Sequence, residues 1–450
     1  MFSPHTEEER KSMLSAIGKQ NLADLFDAVP VKYRFPELEM PEGLSEMEAL
    51  EQLKELSQAN EACDEMICFL GAGIYDHYIP AAVDSILRRG EFFTAYTPYQ
   101  PEISQGTLQA TFEYQSLMAR LTGMEVSNAS HYDGATAAAE ACLTAYHHFQ
   151  EKRRKFILSP GLHPQYRSVI HTYLGGLEGI QIIDGEPDTN PFSNPETLLS
   201  SIDNDTALLF VQYPDFLGRV FNFTDIIQKA HASNCLVAVA VNPMALGVLK
   251  APGEFGADIV VGDGQPLGLP MSFGGPTLGI FTTRKELIRK VSGRIVGETL
   301  DSRGNRGYVL TLTAREQHIR RERATSNICT NQGLMALAAT VYLSLVGKHG
   351  FQQISNLCYQ KAHYAANQIN SLEGFSVEME IPFFNEFVVH CPKPVREINE
   401  FLLGEGFIGG YDLEEVFPNV TNKMLVAVTE KRTKEIIDLF CANLAEAVNE

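Results

Sequence analysis

The stretch VAVAVNPMALGVLKAPGEFGADIVVGDGQPLGLPMSFGGPTLGIF, residues 237–281, determines how the rest of the chain is organised. Its first five residues are apolar and rich in Val, which predicts a strand buried on both faces of a parallel sheet. A second apolar strand is predicted at 257–261. A Gly-rich loop, 273–276, leads into a third strand at 278–282. The stretch therefore predicts the middle of an α/β sheet.

This order of strands and loops resembles that of fold-type-I pyridoxal-phosphate enzymes. Such enzymes place an acid after the first strand, to hold the pyridine nitrogen protonated, and a lysine after the second, to carry the cofactor. Here Asn242 stands in the acid's position, and the second strand is followed by GDGQP, residues 262–266, which contains no lysine. Lys250 comes too early and Lys285 too late. The sequence therefore predicts the fold of a cofactor enzyme that cannot hold its cofactor covalently.

Strand and helix patterns alternate on both sides of this stretch and predict a mostly parallel sheet covered on both faces. Further strands are predicted at 155–158, 179–183, 207–212 and 236–241. The predicted domains are an N-terminal helical arm (1–62), a large α/β domain (63–320) and a small C-terminal α+β domain (321–450). In the arm, Thr6 and Ser45 have the spacing of capping boxes.

Composition excludes several classes of function. The net charge of −20 and the pI near 5.1 argue against general nucleic-acid binding, which needs an excess of Lys and Arg. No apolar run reaches the length of a membrane span. The eight cysteines are scattered without a Cys-x-x-Cys pair, and most have apolar neighbours. They are interpreted as buried free thiols in a reducing cytoplasm.

An irregular loop at 96–105 is dense in polar and aromatic side chains. Prolines interrupt it, and a helix is predicted to begin near Ser104. Polar groups in such a loop need hydrogen-bond partners. Either they pack within the chain, or they complete a site elsewhere. The candidates are Tyr96, Tyr99, Gln100, Glu102, Ser104 and Gln105.

The segment 128–140 opens an Ala-rich helix after Asp133-Gly134. Small residues at a helix start let a phosphate approach the free backbone N–H groups. Close packing of helix on sheet selects the same small residues, and without the lysine we favour that interpretation. His163, in a loop, is interpreted as a surface residue.

A run of arginines begins at Arg315 and places four of them within nine residues of an acidic protein. Glu316 and Arg320 have the spacing of a helical ion pair. The remaining charge predicts either a docking surface for an acidic partner or a solvated helical face. The candidate docking or interface residues are Arg315, Arg320, Arg321, Arg323, Ser326 and Asn327.

Several long motifs together resemble the glycine cleavage system P-protein family. They are TAYTPYQPEISQGTLQ (94–109), YDGATAAAEA (132–141), NPMALG (242–247), GADIVVGDGQPLG (256–268), FGGPTLGIF (273–281) and LTAREQHIRRERATSNICTNQ (312–332). The resemblance covers the whole chain. Within the family, it is greatest to the N-terminal (alpha) subunit made as a separate chain.

The resemblance implies a partner subunit that carries the cofactor lysine and binds pyridoxal phosphate covalently, with two copies of each subunit. It implies an enzyme that decarboxylates glycine and passes the aminomethyl group to the lipoyl arm of the H-protein, and an isolated chain that is inactive. One alternative is a structural or regulatory pseudo-enzyme subunit. Another, a standalone pyridoxal-phosphate aminotransferase or lyase, conflicts with the missing lysine.

Overall fold

A computed structural model describes residues 4–62, 65–184 and 190–449. The helices are α1 (Glu7–Ala16), α2 (Glu46–Gln58), α3 (Ala81–Leu87), α4 (Gly90–Phe93), α5 (Gln105–Thr122), α6 (Gly134–His148), α7 (Pro164–Leu174), α8 (Thr224–Ala232), α9 (Gln317–Arg320), α10 (Gly333–Asn370), α11 (Val395–Gly404) and α12 (Lys434–Asn449).

The strands alternate with these helices through most of the chain. They are β1 (Ile67–Cys68), β2 (Val126–Ser127), β3 (Lys155–Leu158), β4 (Gln181–Ile183), β5 (Thr206–Tyr213), β6 (Leu236–Val241), β7 (Ile259–Asp263), β8 (Gly279–Thr283), β9 (Ile295–Leu300), β10 (Arg306–Thr311), β11 (Ser376–Val377), β12 (Glu386–His390), β13 (Phe407–Ile408), β14 (Tyr411–Asp412) and β15 (Lys423–Ala427).

The chain divides into two compact units, residues 1–62 and 63–450. The first contains α1 and α2. Both predicted capping boxes are confirmed, with Thr6 and Ser45 as the N-caps. No residue of α2 is buried, although it carries Met47, Leu50 and Leu53.

A seven-stranded sheet in the order β2-β8-β7-β6-β5-β3-β4 forms the centre of the second unit. The strands from β7 to β4 are parallel, whereas β8 pairs antiparallel with both β7 and β2. The fold-type-I prediction of a mostly parallel sheet is confirmed. The third strand of the opening stretch is present, but it runs in the opposite direction to its neighbour.

Strand β6 shows why its sequence lacks the usual alternation of apolar and polar residues. Leu236, Ala238 and Ala240 pack into the core that also contains α6 and α7. Val237, Val239 and Val241 point to the opposite face, into the core beneath α8. Because helices cover both faces of the sheet, every position of the strand must be apolar.

A four-stranded antiparallel sheet, β11-β12-β15-β14, forms near the C-terminus and packs with α11, α12 and the second half of α10. Two helices are predicted at 334–346 and 351–372. The structure has one element, α10, with a non-helical residue at Gly347 (φ 59°). The domain boundary at 320/321 stays a prediction.

Helix α10 is long and apolar enough to cross a membrane by length and composition alone. The lengths of the apolar runs in the sequence, by contrast, predict no such span. Side chains of its first half, such as Ala338 and Tyr342, belong to the core beside α5. Side chains of its second half, such as Ala362 and Ile369, belong to the core of the C-terminal sheet. These are the contacts of a core helix.

The cysteine prediction is confirmed for five described residues that are buried and free, namely Cys142, Cys235, Cys358, Cys391 and Cys441. Cys68 is also buried, Cys329 is free and exposed, and Cys63 lies outside the described residues.

Candidate functional site

The position after β6, where a cofactor enzyme needs an acid, is occupied by an amide that caps a turn. The Oδ1 atom of Asn242 accepts a hydrogen bond from the backbone N–H of Met244 at 3.0 Å. Its Nδ2 lies 3.5 Å from Oδ1 of Asn385. A neutral amide in this place cannot stabilise a protonated pyridine nitrogen as a carboxylate does.

The loop after β7, where the lysine would stand, carries Gln265, which is buried. Its Oε1 accepts from the backbone N–H of Tyr75, and its Nε2 donates to the carbonyl of the same residue, both at 2.9 Å. The same Nε2 also donates to the carbonyl of Leu269. The side chain at the lysine position therefore holds the segment around Tyr75 against the sheet.

The start of α6 is already occupied by protein carboxylates. The backbone N–H of Gly134 donates to Oδ2 of Asp263 at 3.1 Å, and Asp133 accepts from the N–H of Thr136 at 2.7 Å. A Cβ at position 134 would lie 1.8 Å from the hydroxyl of Tyr166. Two negative charges and a ring thus stand where a phosphate would approach, which supports the close-packing interpretation.

A buried carboxyl, Glu386 on β12 of the C-terminal sheet, contacts the same segment around Tyr75. It accepts hydrogen bonds from the N–H of Ala72 at 2.6 Å and from the hydroxyl of Tyr75 at 2.5 Å. A Cβ at Gly71 would lie 2.2 Å from its Oε1, so only glycine permits this approach. Asn242, Gln265, Asp263 and Glu386 are thus all hydrogen-bonded within the protein, and the residues present do not fit pyridoxal phosphate.

The interpretation of His163 as a surface residue is wrong. The side chain caps α7, and its Nε2 lies 2.9 Å from the carbonyl oxygen of Ala72. Its ring stacks on Tyr166 with the ring centres 5.2 Å apart. Burial lowers the pKa of His163 below its ordinary value. A loop has no hydrophobic periodicity that could distinguish a buried histidine from an exposed one.

The two tyrosines of the 96–105 loop are exposed. Tyr96 is 88% exposed and Tyr99 is 55% exposed. Neither hydroxyl has a hydrogen-bond partner among residues 4–62, 65–184 and 190–449. Gln100 and Glu102 are also exposed, and Ser104 is half-buried at the start of α5.

Gln105 makes contacts inside its own chain. Its Oε1 accepts from the N–H of Tyr308, and its Nε2 donates to the carbonyls of Tyr308 and Pro101. The amide therefore joins the loop to β10. Gln105 thus holds the loop in place, and both polar atoms of its side chain already have hydrogen-bond partners within the chain.

The tyrosine loop and the arginine run lie next to each other beside Arg294. The Tyr99 ring lies 6.0 Å from the His318 ring and 5.8 Å from the guanidinium carbon of Arg294. Arg294 is buried and donates to Thr330, Asn331 and the carbonyl of Cys329. No motif surrounds Arg294 in the sequence that could have indicated it.

Within the arginine run, the side chain of Arg315 forms hydrogen bonds inside its own chain. It donates to the carbonyls of Leu312, Val291 and Gly293. Burial lowers its pKa. Its charge is therefore enclosed by backbone carbonyls. The predicted Glu316–Arg320 side-chain pair is replaced by contacts of Glu316 with Arg294 and His318, at 4.0 and 3.6 Å.

The rest of the run separates into an exposed part and an anchored part. Arg320, Arg321, Arg323 and Asn327 are exposed. Ser326 donates to Oε1 of Glu140 at 2.6 Å, and Ser292 donates to its Oε2, also at 2.6 Å. Burial raises the pKa of Glu140 despite these two hydrogen bonds. Ser326 thus fixes the run to α6.

A cavity of about 220 Å³ lies beside these residues. Its wall is partly apolar, with Phe92, Phe93 and Leu337. Polar groups from Thr97 and Asn331 also line it, and Tyr96 lies at its edge. The tyrosine loop and Arg294 thus both contribute to the wall of one small cavity, which the arginines of the run do not line.

Comparisons with known proteins agree on one family. The family model described as the glycine cleavage system P-protein matches residues 1–444. The chain belongs to the glycine cleavage system P-protein family. A relative from Thermomicrobium roseum is 52% identical over 447 residues, with 99% of each chain covered. One from Desulforamulus reducens is 50% identical over 444 residues, covering 98% of this chain and 99% of the relative. Both are named probable glycine dehydrogenase (decarboxylating) subunit 1.

Solved structures agree with the family and with the fold. A crystal structure of glycine decarboxylase (P-protein), in inhibitor-bound form, matches with a TM-score of 0.89 and 39% identity, covering 99% of this chain and all of that chain. A glutamate decarboxylase from Lactobacillus brevis matches with a TM-score of 0.68 and 12% identity, covering 94% and 97%. That second likeness shows the fold alone. This P-protein chain therefore has the fold of pyridoxal-phosphate enzymes.

Proposed function

We propose that this chain is the subunit of a glycine decarboxylase that lacks the cofactor lysine. The observation that carries the proposal is Gln265, whose buried amide occupies the lysine position with three hydrogen bonds of its own. The relatives' shared name, subunit 1, supports the existence of a second subunit. In this proposal the partner holds pyridoxal phosphate covalently, and the complete enzyme contains two copies of each subunit.

The reaction proposed for the complete enzyme is decarboxylation of glycine, followed by transfer of the aminomethyl group to the lipoyl arm of the H-protein. Pyridoxal phosphate supplies the electron sink that decarboxylation requires. This chain would contribute the tyrosine loop and the exposed arginines at the edge of the partner's site. We also propose that the complex is cytoplasmic and that the isolated chain is inactive.

Release of carbon dioxide from labelled glycine, measured with H-protein present, tests the proposal. The chain with its lysine-bearing partner should be active, and each subunit alone should be inactive. Activity of this chain alone would overturn it. Equal activity of the partner with and without this chain would instead favour a structural or regulatory subunit.

The first prediction is that pyridoxal phosphate does not attach to this chain. Incubation with the cofactor, reduction with borohydride and peptide mapping should find no lysine with a stoichiometric pyridoxyl group. The reason is that Asn242, Gln265 and the carboxylates at the start of α6 replace every group that the cofactor needs. A single fully modified site at Lys250 or Lys285 would contradict this prediction.

The second prediction concerns the exposed arginines. Replacing both Arg320 and Arg323 with Gln should raise the apparent Michaelis constant for H-protein, or the dissociation constant of the subunits, about threefold to tenfold at low salt. The difference should decrease as salt rises, because exposed charges are screened. Arg396→Gln, an exposed arginine on α11, serves as the control. Unchanged constants at low salt would assign the run to a solvated face.

A further inference from the structure

Two buried side chains and one half-buried side chain from distant parts of the chain meet away from the surface described above. They are His77, Cys358 on α10 and Glu430 after β15, and one ligand atom of each lies within 4.8 Å of the others. Nδ1 of His77 is 2.7 Å from Oε2 of Glu430, and the Cys358 thiol donates to the same oxygen at 3.3 Å. The other oxygen, Oε1, accepts from the N–H of Tyr78 at 2.7 Å.

Two polar atoms in this cluster are buried without a partner. Nε2 of His77 and the hydroxyl of Tyr342 are both inaccessible and form no hydrogen bond. Tyr342 shares these surroundings, because it packs in the same buried core as Cys358. Buried polar atoms normally find a partner, so unsatisfied ones indicate a ligand or an ordered solvent molecule.

The positions of the three side chains differ from those in the active site of a cysteine protease. A catalytic cysteine must lie next to the imidazole that takes its proton, with the carboxylate on the far side of the ring. Here the Cys358 thiol faces Glu430 directly. The thiol is also fully buried, away from any substrate. The cluster therefore has the elements of a binding site and lacks those of a nucleophile.

We propose that His77, Cys358 and Glu430 bind one zinc ion. Imidazole nitrogen, thiolate sulfur and carboxylate oxygen are the ligands that zinc uses in proteins. Zinc–ligand bonds place such atoms about 3.3–3.8 Å apart in a tetrahedral site, which small side-chain movements reach from the present spacing. Three protein ligands leave a fourth position for water, which a buried tyrosine hydroxyl can bind.

The charges around the cluster are compatible with this ion. Loss of the thiol proton to solvent leaves a thiolate, and together with the Glu430 carboxylate it balances the two positive charges of zinc. Lys361 donates to the backbone carbonyl of Glu430. Lys431 and Arg432 both pair with Asp76. The ion would join the segment before α3, the middle of α10 and the loop before α12, which lie far apart in sequence.

Zinc binding to the full-length chain, with any affinity tag removed, tests the proposal. Competition against a chromophoric chelator should find a tight site that takes one zinc ion per chain. Cobalt in place of zinc should produce a thiolate-to-metal charge-transfer band. Zinc should also raise the midpoint of thermal unfolding by a few degrees, because it binds only the folded state. This experiment needs no partner subunit and is independent of the proposed function.

Matched variants locate the ion. Cys358→Ser and Glu430→Gln should both lose the tight site, whereas Cys391→Ser (another buried thiol) and Cys329→Ser (the exposed one) should keep it. If Cys358→Ser does not fold, Glu430→Gln and the cobalt spectrum of the wild type decide. A wild-type chain without a tight site, a cobalt complex without the charge-transfer band, or a site lost with Cys329 would overturn the proposal.

Discussion

Replacing Tyr96 or Tyr99 with Phe should lower glycine decarboxylation by about tenfold or more in the enzyme reconstituted with its partner. A hydrogen bond lost from a reacting complex costs on the order of 1–3 kcal/mol, and about 1.4 kcal/mol is a tenfold change in rate. Both hydroxyls are exposed and free of partners among the residues that the structure describes, so they are available to a second subunit.

The Phe variants isolate the hydroxyl because the ring contacts do not need it. The Tyr99 ring lies beside Arg294 and His318, and a Phe ring can keep both contacts. Each variant should therefore assemble with the partner and keep the absorbance of the bound cofactor, while kcat decreases. Tyr359→Phe removes an exposed hydroxyl on α10 and is the control. Full activity in both variants, with normal assembly, would assign the loop to packing.

Much of the fold could be predicted because burial on both faces leaves a clear sequence pattern. The all-apolar, Val-rich run at 236–241 predicts a strand covered on both faces, and it is β6. The missing lysine could also be predicted, since an absent residue type is visible in the sequence. The direction of β8 could not be predicted, because the pattern of apolar residues is the same for a parallel and an antiparallel strand.

The site was harder to predict because its contacts join residues far apart in sequence. Gln105 and Ser326 looked like free polar groups, yet one binds β10 and the other binds Glu140 on α6. Arg315 looked like part of a charged surface, yet backbone carbonyls surround it. Local patterns predict which residues are polar, but only the tertiary structure determines which of them remain free.

The buried carboxyl of Glu386 gives the largest expected effect on stability. It accepts hydrogen bonds from the backbone N–H of Ala72 and from the hydroxyl of Tyr75. Neither donor carries a positive charge. Burial raises its pKa from 4.5 to about 7, and the nearby carboxylate of Asp215 adds to the increase. A carboxyl with a raised pKa is more easily protonated in the folded protein than in the unfolded chain.

The sign of the pH dependence follows from that difference. Between about pH 4.5 and pH 7 the folded state binds more protons at this site, so the free energy of unfolding falls as the pH rises. The contribution is fully present below pH 4.5 and is lost as the pH passes through about 7. A shift of this size corresponds to about 3 kcal/mol, at about 1.4 kcal/mol per pKa unit.

Glu386→Gln should remove this dependence. A glutamine keeps an oxygen for the N–H of Ala72 and offers an N–H to the hydroxyl oxygen of Tyr75, so it imitates the protonated carboxyl at every pH. Urea unfolding should be measured from pH 5 to pH 8. Over this range the free energy of unfolding of the variant should rise, relative to that of the wild type, by on the order of 3 kcal/mol. Glu373→Gln, at an exposed position, is the control, and its free energy of unfolding should differ from that of the wild type by the same amount at every pH. A constant difference for Glu386→Gln as well would show that this carboxyl does not change its protonation on folding.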